Sequence, residues 1–254
     1  MRWLRNRGSA PTVDAHVIAD TWQLVSLLLD YPDEVLVGRL PLLRPVVAAL
    51  PAEQRGPLTA YLDTLGQTPL GELQADYVDT FDVTRKCSLH LTYFTHGDTR
   101  KRGVALVEFR QAYRRAGVEF DIDTELPDHL CVLLEFGAAH DRDTAWALLN
   151  RHRVGIELLR MALVKRTSRW LPVVEALRST LPDLGPDDHQ ALAALIAAGP
   201  PKEEVGLDSA PYALDPRLSE HLNPRPDPLD LPSDPTPRDT TEYLGTTIPV
   251  GGPR

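Results

Sequence analysis

At 254 residues the chain is long enough to bury a sizeable core in one large domain or two small ones. Hydrophobic residues make up 43% and charged residues 25%, as in a globular protein. The net charge of −9, from 27 basic and 36 acidic residues, argues against a nucleic-acid binder and favours a basic partner.

The N-terminal MRWLRNRGSA is basic, but no apolar run of signal-peptide length follows it, and residues 1–11 are expected to be flexible. The first predicted helix places Trp22, Val25, Leu28 and Leu29 on one stripe, with Pro32 stopping it after Asp30–Tyr31. A second is expected from Asp33 to Leu50, interrupted at Pro41 and Pro45, and a third from Pro51 to Leu65, ending at Gly66. A fourth begins near Leu70 and sets Leu73, Tyr77 and Phe81 on one face.

The run Gly103 to Phe109 resembles a buried strand, yet Leu106, Phe109 and Tyr113 keep helical spacing over a stretch too long for a typical strand. After the linker VEFDIDTELPD, Leu130, Leu133, Leu134 and Gly137 mark another helix. One long helix is expected from about Asp143, with Leu149, Ile156, Leu159 and Leu163 on a stripe. Val173, Val174 and Leu177 mark a shorter one, and a last helix runs from Pro186 to just before Gly199.

No hairpin signal, two-residue alternation or fixed-period repeat is present, so the fold class is all-α, a single helical bundle over residues 12–198. Twelve of the 23 prolines follow Gly199, and residues 199–254 are expected to form a disordered, proline-rich acidic tail. Apolar runs fall far short of a membrane span, so the expected location is cytoplasmic, without direct membrane insertion.

The densest chemistry lies in Ala75–Gly103, ADYVDTFDVTRKCSLHLTYFTHGDTRKRG. His90, His96, His129 and His140 with Glu135 suggest a metal site, but neither Glu-x-x-His nor His-Glu-x-x-His occurs. Glycine-rich phosphate loops and a Gly-x-Ser-x-Gly elbow are absent too. Two cysteines without Cys-x-x-Cys spacing exclude a disulfide framework and the common cysteine-rich zinc sites. Cys87, beside Arg85 and Lys86, is a candidate for a lowered pKa. The pair Arg114–Arg115 suits a helix C-terminus through the macrodipole.

Recognition is the remaining reading. Tyr77, Phe81, Tyr93 and Phe94, with Leu89 and Leu91 and the acids Asp79, Asp82 and Asp98, suit a groove with an acidic rim for an amphipathic helix with a basic flank. A metal-dependent helical enzyme using His90, His96 and His129, and an adaptor acting through the proline-rich tail, are the alternatives.

The strings LLLDYPDE (Leu27–Glu34), YVDTFD, SLHLTYFTHGDTRKRG and PDHLCVLLEF, in that order, resemble the NarJ branch of the TorD/DmsD redox-enzyme maturation chaperones, over about Thr21 to Leu195. The resemblance implies an all-helical chaperone that is not an enzyme and carries no cofactor or metal. Its implied partner is the apo catalytic subunit of respiratory nitrate reductase, bound by the N-terminal segment until molybdenum cofactor insertion and membrane assembly. Proteins of molybdenum cofactor biosynthesis are implied as further partners.

The family's Tyr-x-x-x-Phe-Asp pattern falls on Tyr77, Phe81 and Asp82. Its His-Gly-acid-x-Arg-x-Arg-Gly segment falls on His96, Gly97, Asp98, Arg100, Arg102 and Gly103. Its Pro-Asp-His/Tyr-Leu signature falls on Pro127, Asp128, His129 and Leu130, followed by Leu134, Glu135 and Phe136. Asp128 suits a cap on exposed N–H groups at a helix entrance. Client-peptide contacts are therefore expected from Tyr77, Phe81, Asp82, Leu89, Leu91, Tyr93, Phe94, His96, Asp98, Arg100, Pro127, Asp128, His129, Leu130, Leu134 and Glu135. Cys131 and the long tail depart from the family pattern.

Overall fold

The computed structural model describes residues 13–97, 100–119 and 125–198; the expected flexible N-terminus and proline-rich tail lie outside them. Every regular element there is helical, and the fold class is all-α.

Helix α1 (Ala15–Leu28) is capped by Asp14, whose side chain accepts from the His16 N–H at 2.8 Å. Its stripe of Ile18, Trp22, Val25 and Leu28 is fully buried, and Trp22 Nε1 donates to Thr180 Oγ1 at 2.9 Å. Helix α2 (Glu34–Ala49) starts where Asp33 accepts from the Leu36 N–H at 2.7 Å. It runs on through Pro41 and Pro45, contrary to the expected interruption. Both prolines are exposed, so the carbonyls deprived of a partner four residues earlier are solvated.

Helix α3 (Ala52–Gln67) continues past Gly66 and packs on α2. Helix α4 (Leu70–Tyr77) passes directly into a π-helical turn over Val78–Asp82, closed by Val83 N–H donating to Val78 O at 3.0 Å. The wider turn keeps Tyr77 and Phe81 together against Trp170, with ring centroids 5.6 and 5.4 Å from the indole. A 3-10 turn (Arg85–Cys87) and the short helix α5 (Tyr93–His96) lead to α6 (Arg100–Arg115). The Gly103–Phe109 run is thus helical, and Arg114–Arg115 close α6 as expected.

Helices α7 (Leu130–Ala139), α8 (Arg142–Arg151), α9 (Arg153–Arg166), α10 (Leu171–Arg178) and α11 (Pro186–Ala198) complete the described chain. The single long helix expected from Asp143 is two helices, broken at His152 (φ −100°, ψ 18°). The break re-aims the chain, so that α8 packs on α7 while α9 packs on α10 and α11. One straight helix has no such second direction. Helix α1 lies against both α7 and α10, and α10 also against α3.

A buried ionic node ties α9 to α10. Glu157 accepts from Arg160 Nε at 2.8 Å and Arg178 Nε at 2.9 Å and lies 2.8 Å from Arg153 Nη1. Burial opposes its charge, but these guanidiniums outweigh that and hold its pKa down. Replacing Glu157 by Ala leaves the buried Arg153 uncompensated. Urea denaturation should record a loss of about 3 kcal/mol, with the midpoint falling and the slope unchanged.

Candidate functional site

The four sequence motifs meet in space. Tyr77 OH donates to Leu29 O at 3.1 Å and Gln74 Nε2 to Pro32 O at 3.0 Å, which fastens YVDTFD to LLLDYPDE. Tyr31 stands edge-on to Tyr77, ring centroids 5.4 Å apart. The segment Leu89–Thr92 is fastened to Asp128–Leu130 by a single antiparallel bridge between His90 and His129. Leu91 N–H donates to Asp128 O at 3.1 Å and Leu130 N–H to Leu89 O at 2.9 Å.

Asp128 is the hub of this junction, with 0% of its surface exposed. Its Oδ2 accepts from Thr92 N–H at 3.1 Å and Thr92 Oγ1 at 2.5 Å and lies 3.7 Å from Arg102 Nη2; its Oδ1 faces His90 Nδ1 at 3.4 Å. Burial pushes the carboxyl pKa up, but the His90 and Thr92 contacts and the charges of His90 and Arg102 overcome this and hold it at about 2. Asp128 was expected to cap its own helix. Instead α7 begins at His129 without a side-chain cap, and Asp128 serves the entrance of α5. The reason is tertiary: the bridge brings Thr92 to the carboxylate, across 36 residues of sequence.

Pro127 is buried and its carbonyl accepts from Tyr113 OH at 2.6 Å, which adds α6 to the junction. His129 packs edge-on against His90, 5.2 Å between ring centroids, and burial, with the His90 charge, lowers its pKa. Gly97 adopts φ 56°, a left-handed value that glycine accepts without Cβ strain, and so ends α5 sharply.

Most of the apolar residues expected to contact a client are core in this conformation: Tyr77, Phe81, Leu89, Leu91, Leu130 and Leu134 are all buried. Glu135 and Asp82 are exposed, and His96 is half-buried. Asp98 and the side chain of Arg100 lie outside the described residues. His140 sits apart, on the exposed end of α7 against Phe136. Among the described residues no group of three or more His, Cys, Asp or Glu side chains is placed to hold a metal ion. Cys87 is buried, and burial, only partly offset by Arg166, raises its pKa; the expected lowering by Arg85 and Lys86 is therefore corrected. Cys131 is likewise buried with a raised pKa.

Tyr93 and Phe94 are buried as well, 8% and 9% exposed, but the edges they keep open form one wall of a cavity of about 270 Å³ between α5, α9 and α11. Leu158 and Ala162 of α9 line it further, with Met161 and Ile196 at its mouth, 40% and 50% exposed. Its rim is cationic, formed by Arg85, Lys86 and Lys165, where sequence reasoning expected acids. Asp79 is turned away into an ion pair with Arg166. The α9 and α11 residues were missed because the periodic stripe points to Leu159 and Leu163, which are core. Their neighbours Leu158, Met161, Ala162 and Lys165 form a second stripe at i, i+3, i+4 and i+7 that was legible but not singled out.

The model of the nitrate reductase delta subunit family matches residues 48–176. The chain is 30% identical over 166 residues to the probable nitrate reductase molybdenum cofactor assembly chaperone NarJ of Bacillus subtilis, across 65% of this chain and 90% of that protein. It is 33% identical over 157 residues to the nitrate reductase molybdenum cofactor assembly chaperone NarJ of Escherichia coli K12, across 61% of this chain and 66% of that one. A solved structure of a putative redox enzyme maturation protein from Archaeoglobus fulgidus superposes with a TM-score of 0.48 at 25% identity, over 63% of this chain and 91% of that one. With a family match over half its length and a relative covered for nine-tenths, this chain belongs to the nitrate reductase delta subunit family, the NarJ-type assembly chaperones.

Proposed function

We propose that this protein is the assembly chaperone of a respiratory nitrate reductase, binding the N-terminal segment of the apo catalytic subunit. In this role it keeps that subunit competent for molybdenum cofactor insertion and membrane assembly. It works in the cytoplasm through residues 12–198 and contributes binding rather than catalysis. The observation that carries the reading is the position of Tyr93 and Phe94. These signature residues wall an open, largely apolar cavity, as expected of a surface that takes helix anchors. Among the described residues no helix is long and apolar enough to cross a membrane, which accords with action on a client before its membrane assembly.

Titration calorimetry of the full chain with a peptide of the catalytic subunit's N-terminus tests the reading. A Kd between micromolar and about tens of nanomolar is expected, with a rise in melting temperature. No heat together with no thermal shift rules out client binding. Tyr93→Ala combined with Phe94→Ala should weaken the binding by about tenfold or more, since aromatic anchors dominate such interfaces.

A further inference from the structure

We infer that the cavity between α5, α9 and α11 selects a helical client segment whose apolar anchors are flanked by carboxylates; this rests on the client-binding reading above. The walls supply the apolar part. Tyr93, Phe94 and Leu158 form a preset floor, while Met161 and Ile196 stand at the mouth with about half their surface in water. Methionine's unbranched, polarizable side chain adapts to differently shaped anchors. A volume of about 270 Å³ takes more than one apolar side chain, which on a helix arrive at i and i+3 or i+4.

The rim supplies the selectivity. Arg85 and Lys86 approach from the 3-10 turn and Lys165 from α9, so cations face the cavity from two elements. Lys86 and Lys165 are exposed and, among the described residues, have no ion-pair partner. By contrast, other cations of α9 and the segment after it are matched: Arg160 by Glu157 and Glu175, Arg166 by Asp79, Arg169 by Glu72 and Asp76. In a chain of net charge −9, unmatched lysines ringing the open apolar cavity run against the overall sign. A segment that seats its anchors there brings its flanks to these lysines. Carboxylates on the flanks gain two pairings, while lysines on the flanks meet like charge. The selected chemistry is thus opposite to the basic flank inferred from net charge alone.

Two synthetic amphipathic peptides test this, with identical leucine anchors and either glutamates or lysines on the flanks, each titrated calorimetrically into the full chain. A partly exposed pair changes affinity by about two- to fivefold, so the glutamate peptide should bind about tenfold tighter. The double variant Lys86→Glu, Lys165→Glu should reverse that order, its melting temperature reporting that the fold is kept. Equal affinities, or a preference that survives the reversal, overturn the inference. Binding of dodecanoate with neither peptide bound overturns it as well and identifies a lipid carboxylate instead. The native-sequence client peptide separates the two readings. If it binds while the synthetic pair is bound equally, the carboxylate rule falls and the chaperone reading stands. If it fails to bind while the glutamate preference holds, the chaperone reading falls.

Discussion

Replacing Gly137 by alanine should destabilise the protein, although alanine is ordinarily the better helix former. Gly137 lies in the last turn of α7, where the helix crosses α1 and meets α8. A Cβ at this position would stand 2.6 Å from Ala145 Cβ, 2.6 Å from Trp22 Cζ3 and 2.7 Å from Trp22 Cε3. None of these atoms is the end of a flexible chain. Trp22 is fully buried, hydrogen-bonded to Thr180 and stacked on Trp146 with centroids 6.3 Å apart, so it cannot swing away without breaking those contacts. Overpacking of a filled core costs about 1–3 kcal/mol or more, against about 1 kcal/mol gained in helix propensity. A net loss of about 2 kcal/mol in urea denaturation is expected for Gly137→Ala, and a larger loss for Gly137→Val. The contrast is Gly38, inside α2 with no atom near its missing Cβ. There the propensity gain stands alone, and Gly38→Ala should stabilise by about 0.5–1 kcal/mol. Equal effects at the two positions would show that packing does not decide the sign.

Asp128→Ala should cost about 3–4 kcal/mol, because it strips the junction of its buried negative charge while Arg102 and His90 remain. The same group leaves a signature in the pH dependence of stability. Its carboxyl pKa is 3.8 when unperturbed and about 2 in the folded protein, so the folded state favours the ionised form. The resulting stabilisation, roughly 2 kcal/mol, is fully present above pH 4 and is lost as pH falls from about 4 to about 2. His152 acts in a different window. Burial, and then the Arg151 charge, lower its pKa from 6.5 to about 4, so the folded state favours the neutral ring. That contribution is present above pH 6.5 and is lost as pH falls from 6.5 toward 4. Acid titration of the wild type by denaturant melts should therefore decline in both windows, and Asp128→Ala should flatten the lower one. An unchanged slope between pH 4 and 2 in the variant would refute the role given to Asp128.

Much of the helical layout was legible because helix formation follows a local repeat. Trp22, Val25 and Leu28 announce the buried face of α1, and Leu106, Phe109 and Tyr113 identify α6 as helix. The prolines of α2 misled for a definite reason: whether a lost hydrogen bond matters depends on exposure, which periodicity does not encode. His152 carries no helix-breaking signal. It ends α8 because the chain must serve two packing partners, a condition set by α7, α10 and α11 together. The π turn after Tyr77 is of the same kind, fixed by the demand of two aromatic rings on one indole.

The candidate site divides similarly. Tyr93 and Phe94 were singled out from the sequence and, though largely buried, do wall the cavity, whereas Leu89, Leu91, Leu130 and Leu134 carry the same apolar signal and line no part of it. Hydrophobicity marks a residue for burial without saying whether protein or partner will bury it. The ordered motifs, the all-helical class and the membership of this chain in its family were determined by the sequence itself, because they rest on residue type and spacing. The tertiary structure alone decided that Asp128 serves α5 and that Cys87 is an ordinary buried thiol with a raised pKa. It also set a cationic rim around the cavity. Each of these depends on what stands within a few ångströms in space, and the packing of distant helices brings those neighbours together.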